Sequence, residues 1–140
     1  MTPILFGRIQ TRFFLVVVIG TLWALAITPV LPDRGRLSAA YGVAFRALLV
    51  VLVAGIVWEF VYHGLQQFRW EKDWPTLFGL LTGINEGVST WFLMWALDID
   101  VPATTFLAFF ISTWLVLWLW VSGPMKVVFI RWRWRGGRLL

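Results

Sequence analysis

The stretch VAFRALLVVLVAGIVWEFVYHGL, residues 43–65, decides how this chain is read. It is apolar for longer than the ~20 residues a helix needs to cross ~30 Å of hydrocarbon, yet Glu59 and His63 stand inside it. Ionisable groups in such a segment are expensive unless paired or wetted, so they mark function or specific packing.

Working outward, three more apolar stretches of similar length appear, at about residues 13–31, 76–97 and 101–123. Their limits have local causes. Pro29 and Pro32 weaken the end of the first, and Asp33-Arg34-Gly35-Arg36 reads as a polar turn. Asp73-Trp74-Pro75 and Asp100-Val101-Pro102 each put an acidic cap ahead of a proline suited to a helix's first turn. Gly123-Pro124 ends the fourth stretch, and Asp98-Ile99-Asp100 leaves room only for a tight antiparallel hairpin. The expected fold is all-α: a polytopic membrane protein of about four transmembrane helices in an up-down bundle. Residues 1–140 form one domain, with a basic-aromatic tail over 124–140.

Composition agrees. Of 140 residues, 60% are hydrophobic and 14% charged, where soluble domains carry about 25% charged residues; the mean hydropathy is +0.81. The absence of cysteine removes disulfides and thiol chemistry. The net charge of +5 lies beside apolar spans and forms no continuous face, which fits anionic lipid headgroups and not nucleic acid. With the N-terminus inside, Arg8, Arg12, Arg69, Lys72, Lys126, Arg131, Arg133, Arg135 and Arg138 fall on the cytoplasmic side, against Arg34, Arg36 and Arg46 outside. The positive-inside rule then gives N-in/C-in. Arg8 and Arg12 followed by an apolar run and Ala24-Leu25-Ala26 resemble a cleavable leader. The run continues past that site, so a retained span is expected, in a multi-pass protein of a bacterial inner membrane.

The candidate site is an intramembrane polar cluster of Glu59, His63, Asn85 and Glu86. Glu59 and His63 are four apart on one helix face. At ~1.5 Å per residue, Glu59 lies roughly 10 Å and Glu86 roughly 15 Å above the inner end, close enough to meet. Three uses are open: a staple between helices, a carrier of protons or cations, or a metal site of Glu59, His63 and Glu86, short of ligands for a metal-dependent membrane enzyme. Gly79, Gly83 and Gly87 form a bare ladder for close helix packing, within the chain or against another copy. Trp91 and Trp95 suit one aromatic belt, Trp118 and Trp120 the other. Ser112 and Thr113 are expected to bond to carbonyls of their own helix.

Arg131-Trp132-Arg133-Trp134-Arg135 alternates guanidinium and indole, a pattern for anchoring at lipid headgroups or docking on a partner. No phosphate-binding loop, nucleophile set or cofactor motif is present, so neither an enzyme nor a cofactor is expected. The leading expectation is an accessory or scaffolding subunit of a membrane assembly, bound to other subunits or to copies of itself. The alternative is a proton- or cation-conducting protein that uses the Glu/His cluster.

Overall fold

The computed structural model describes residues 4–68, 76–132 and 134–139. These are helical, with no strand among them. Helix α1 runs over Leu5–Val30, α2 over Leu37–Gln67, α3 over Thr76–Ala96 and α4 over Ala103–Ser122, followed by the short α5 over Pro124–Val128. Each long helix packs on its chain neighbour, and α4 returns to α1, so the four close into a ring.

Leu5–Val30, Leu37–Gln67 and Ala103–Val128 are long and apolar enough to cross a membrane. Their outward stripes are as apolar as their cores: Leu49, Val53, Val57 and Phe60 on α2, and Leu107, Ile111, Leu115 and Leu119 on α4, are all exposed. Aliphatic stripes of this size in contact with water would drive aggregation, and lipid is the solvent that suits them. Helix α3 is inverted. Its inward face holds Gly83, Glu86, Thr90 and Met94, and large apolar residues point outward.

Helix α1 begins two turns earlier than the apolar count suggests, at Leu5, because Arg8 and Arg12 are part of it. Over Leu15–Gly20 it widens into a π-helical segment. Such a bulge shifts the face a helix presents; here Arg12, Leu15, Val16, Ile19, Ala24 and Thr28 all end up buried. Helix α2 extends beyond residues 43–65 at both ends.

The end of α3 is a Schellman motif. Ile99 N donates to Met94 O at 2.9 Å and Asp98 N to Trp95 O at 3.2 Å, with Asp98 left-handed at φ 52°. Met94 and Ile99, the two residues whose contact accompanies this motif, are both buried. The expected acidic cap of α4 is not formed: the N-cap is Pro102, and no side chain caps the helix. The nearby hydroxyls tie the two loops at this end together instead, Thr104 Oγ1 donating to Asp33 Oδ2 at 2.8 Å and Thr105 Oγ1 to Pro32 O at 2.6 Å. The cap proposed at Asp73 lies outside the described residues.

The glycine ladder packs within the chain, against aromatic rings of α4. A Cβ on Gly83 would collide with the Trp114 indole, and one on Gly87 would sit 2.8 Å from Phe110, while Gly79 leaves 3.7 Å to Trp118. The indoles also donate across this seam, Trp114 Nε1 to Leu80 O at 3.1 Å and Trp118 Nε1 to Thr76 O at 3.0 Å. Trp23 Nε1 links α1 to Ser112 Oγ of α4 at 3.2 Å, and Trp58 Nε1 links α2 to Ser89 Oγ of α3 at 3.0 Å. Ser112 in turn donates to Phe109 O in its own helix, whereas Thr113 Oγ1 is buried without a partner.

Gly83→Ala should therefore destabilise the fold by about 1–3 kcal/mol through overpacking. Gly79→Ala should be neutral or stabilising by up to about 1 kcal/mol, the helix-propensity gain alone. Denaturant titration of the detergent-solubilised protein, followed by tryptophan fluorescence, ranks the two.

Candidate functional site

The polar cluster is centred on a residue of α1. Arg12 lies across the bundle, buried, with four N–H···O contacts to two carboxylates. Its Nη1 and Nη2 form a fork on Glu86 at 2.6 and 2.7 Å, and its Nε and Nη2 both donate to Glu59 Oε1 at 3.2 and 2.8 Å. One guanidinium thus joins α1, α2 and α3. Arg8, one turn earlier, donates from Nη1 to Glu59 Oε2 at 3.3 Å and from Nη2 to Gln66 Oε1 at 2.6 Å. Two cations and two anions leave the network without net charge, the condition under which ionised groups are tolerated away from water.

Local sequence makes room for it. Gly55, one turn before Glu59, leaves 3.1 Å between a would-be Cβ and the Arg12 guanidinium, so a side chain there would push the arginine off its partners. From the other side Trp114 offers its ring face, with the Arg12 Cζ 5.4 Å from the centroid. A desolvated contact of this kind contributes about 2 kcal/mol. The Trp114 ring that fills the gap at Gly83 therefore also backs the arginine. Planar guanidinium geometry is what allows a fork on one carboxylate and a second acid at the edge, which an ammonium cannot reproduce.

The structure brings Glu59 and Glu86 together on Arg12. It leaves the other two sequence candidates aside. Helix α2 turns Gly55, Glu59, Tyr62 and Gln66 inward; His63, one residue off that face, is half-buried with an Nδ1 that has no hydrogen-bond partner. Asn85 is exposed on α3, because adjacent helical residues point ~100° apart and Glu86 takes the inward direction. Among the described residues no group of acidic and histidine side chains is arranged to hold a metal ion, and the carboxylates that a metal would use already accept from arginine. Arg8, Arg12, Gln66, Gly55 and Trp114 are the site residues that composition and spacing did not single out.

The tail divides inward and outward. Trp132 is buried and donates from Nε1 to Thr11 Oγ1 at 2.8 Å, while Thr11 Oγ1 donates on to Gly137 O at 3.0 Å. Ile4 N donates to Gly136 O at 2.9 Å and Leu139 N to Gln10 Oε1 at 3.0 Å. Gly7 is in contact with the Gly136 and Gly137 backbone, an approach only a glycine allows. Arg131, Trp134 and Arg135 remain exposed, and Arg133 lies outside the described residues. Helix α1 supplies the cations of the network and the seat of the tail.

No family model, curated protein or solved structure matches this chain.

Arg12→Met should destabilise the protein by about 3–5 kcal/mol, because it leaves Glu86 buried without a cation and Glu59 with only the 3.3 Å contact to Arg8. Arg12→Lys should fall between that variant and the parent. Combining Arg12→Met with Glu59→Gln and Glu86→Gln should recover at least half of the loss. Unfolding midpoints in detergent measure all three, and an Arg12→Met variant as stable as the parent would show that the network holds nothing together.

Proposed function

We propose that this chain is a multi-pass membrane protein whose four long helices all cross the bilayer, and that it acts as an accessory or scaffolding subunit, binding other membrane chains or its own copies through the outward face of α3. Twenty-one residues of α3 span about 31 Å at 1.5 Å per residue. Its own apolarity is diluted by Asn85, Glu86 and three glycines, but Glu86 is buried and the glycines pack against α4. With Arg8 and Arg12 taken up by the network, Arg69, Lys72, Lys126, Arg131, Arg133, Arg135 and Arg138 still outnumber Arg34, Arg36 and Arg46 seven to three. That excess supports both chain ends on the cytoplasmic side, in a membrane such as the bacterial inner one.

The observation that carries the scaffolding role is Asn85. The outward stripes of α2 and α4 are apolar over Leu49, Val53, Val57 and Phe60 and over Leu107, Ile111, Leu115 and Leu119, with Arg46 exposed one turn nearer the start of α2, but that of α3 reads Leu81, Asn85, Val88 and Phe92. The Asn85 side chain lies beside the Tyr62 hydroxyl, and an exposed amide has more donors and acceptors than one hydroxyl satisfies. At mid-helix, facing hydrocarbon, the remainder is costly, whereas interhelical amide contacts in membranes contribute about 0.6–2 kcal/mol. A conducting role receives less support, since an ion moving through Glu59 and Glu86 has to displace the arginine that bridges them.

A photo-crosslinking residue in place of Val88 or Phe92 should give discrete protein adducts in native membranes, and one in place of Val53 should give lipid adducts. Asn85→Leu should lower the protein adducts several-fold. Lipid adducts alone from all three positions would sink the scaffolding reading. Because the chain has no cysteine, topology is directly readable: a membrane-impermeant maleimide applied from outside should label Ser38→Cys and leave Arg138→Cys unlabelled.

A further inference from the structure

Beside the arginine network, at the end of the molecule that holds α1's start, α4's end and the tail, lies a cavity of about 540 Å³. That is within the range of small-molecule sites. Its walls are of two kinds. Arg8, Arg12 and Lys126 are its basic lining residues, and Leu117, Trp118 and Val121 are among its apolar ones. Glu59 also lines it, but Glu59 and Glu86 are engaged by the two arginines. Lys126 is exposed and has no acidic partner among the described residues. Among the described residues, the lining therefore carries a surplus positive charge.

A second, independent feature points to an anionic occupant. Arg8, whose side chain is only 12% exposed, uses Nη1 and Nη2 on Glu59 and Gln66, but its Nε is buried without an acceptor. A buried guanidinium donor left unmatched is costly, and a ligand oxygen reaching Arg8 removes that cost. Among the described residues, Glu59 is the only acidic side chain that lines the cavity.

We propose that this cavity binds one anionic phospholipid from the surrounding leaflet, its phosphate held between Arg8 and Lys126 and its first acyl carbons laid against Leu117, Trp118 and Val121. The position fits such a ligand. Basic and tryptophan side chains together at the end of membrane helices mark headgroup depth, and the cavity continues from them onto apolar helix surface. A soluble phosphate would satisfy the cations but leave the indole and aliphatic wall uncovered, which is why a lipid is the better match. The proposal rests on the membrane reading above but not on the scaffolding contact, since Leu81, Asn85, Val88 and Phe92 do not line the cavity.

Native mass spectrometry of the full chain, released from detergent with phosphatidylglycerol or phosphatidylcholine, tests this. One phosphatidylglycerol should be retained per chain, and phosphatidylcholine far less. Lys126→Gln should lower the retention of phosphatidylglycerol about fivefold, the effect of one basic group near a charged lipid surface, and leave that of phosphatidylcholine unchanged. Val121→Trp, which fills the apolar side, should abolish retention; circular dichroism and the unfolding midpoint confirm that each variant is folded. Equal retention of both lipids, unaltered retention in folded Lys126→Gln and Val121→Trp, or full displacement of the lipid by inorganic phosphate would each overturn the proposal.

Discussion

A guanidinium held between two carboxylates in an apolar bundle sets the terms for everything around it. Ions far from water must be matched on the spot, and here the match is made by residues from three different helices. Arg12 fixes how deep α1 sits against α2 and α3, since its fork on Glu86 and its edge contact with Glu59 are met in one register only. Dispersion packing alone lets apolar helices slide past one another in lipid; a directional charge pairing does not.

The aromatic residues complete the same construction. Trp114 packs over Gly83, donates to Leu80 O and faces Arg12. Its removal would open a void, free a carbonyl and expose one side of the cation together. Of the tryptophans that spacing assigns to interfacial belts, Trp118 links α4 to Thr76 O of α3, and Trp23 and Trp58 are cross-links too, to Ser112 and Ser89. The indole N–H needs an acceptor in hydrocarbon, and a neighbouring helix is the nearest source. Trp95, in the last turn of α3, is exposed.

Much of this was legible in the chain and some was not, for definable reasons. Helices α2, α3 and α4 follow from apolar length and from Pro32, Pro102 and Gly123. The convergence of Glu59 and Glu86 follows from helical rise in a hairpin. Arg12 was hidden because a basic residue ahead of an apolar run reads as a flank, and hydropathy counting starts the span at Phe13. The overlooked signal was stoichiometric: two acids within spans whose one arginine, Arg46, stands more than three turns from Glu59, with Arg8 and Arg12 one helical turn apart in the adjoining segment. His63 misled because both i+3 and i+4 adjoin Glu59 on a helix; the inward face takes Tyr62. The Asp100 cap failed because Pro102 itself begins the helix and Thr104 and Thr105 turn to the opposite loop.

The same network imposes an order on biogenesis. Arg12 precedes Glu59 by 47 residues and Glu86 by 74. At elongation rates of roughly 5–20 residues per second, the ribosome delivers the second acid some 4 to 15 s after the arginine. Until then the first segment carries an unmatched cation that hydrocarbon refuses, so it has to wait in a hydrated or proteinaceous shelter. On the four-span reading proposed above, lateral release into the bilayer becomes a joint event of three segments, gated by the arrival of residue 86.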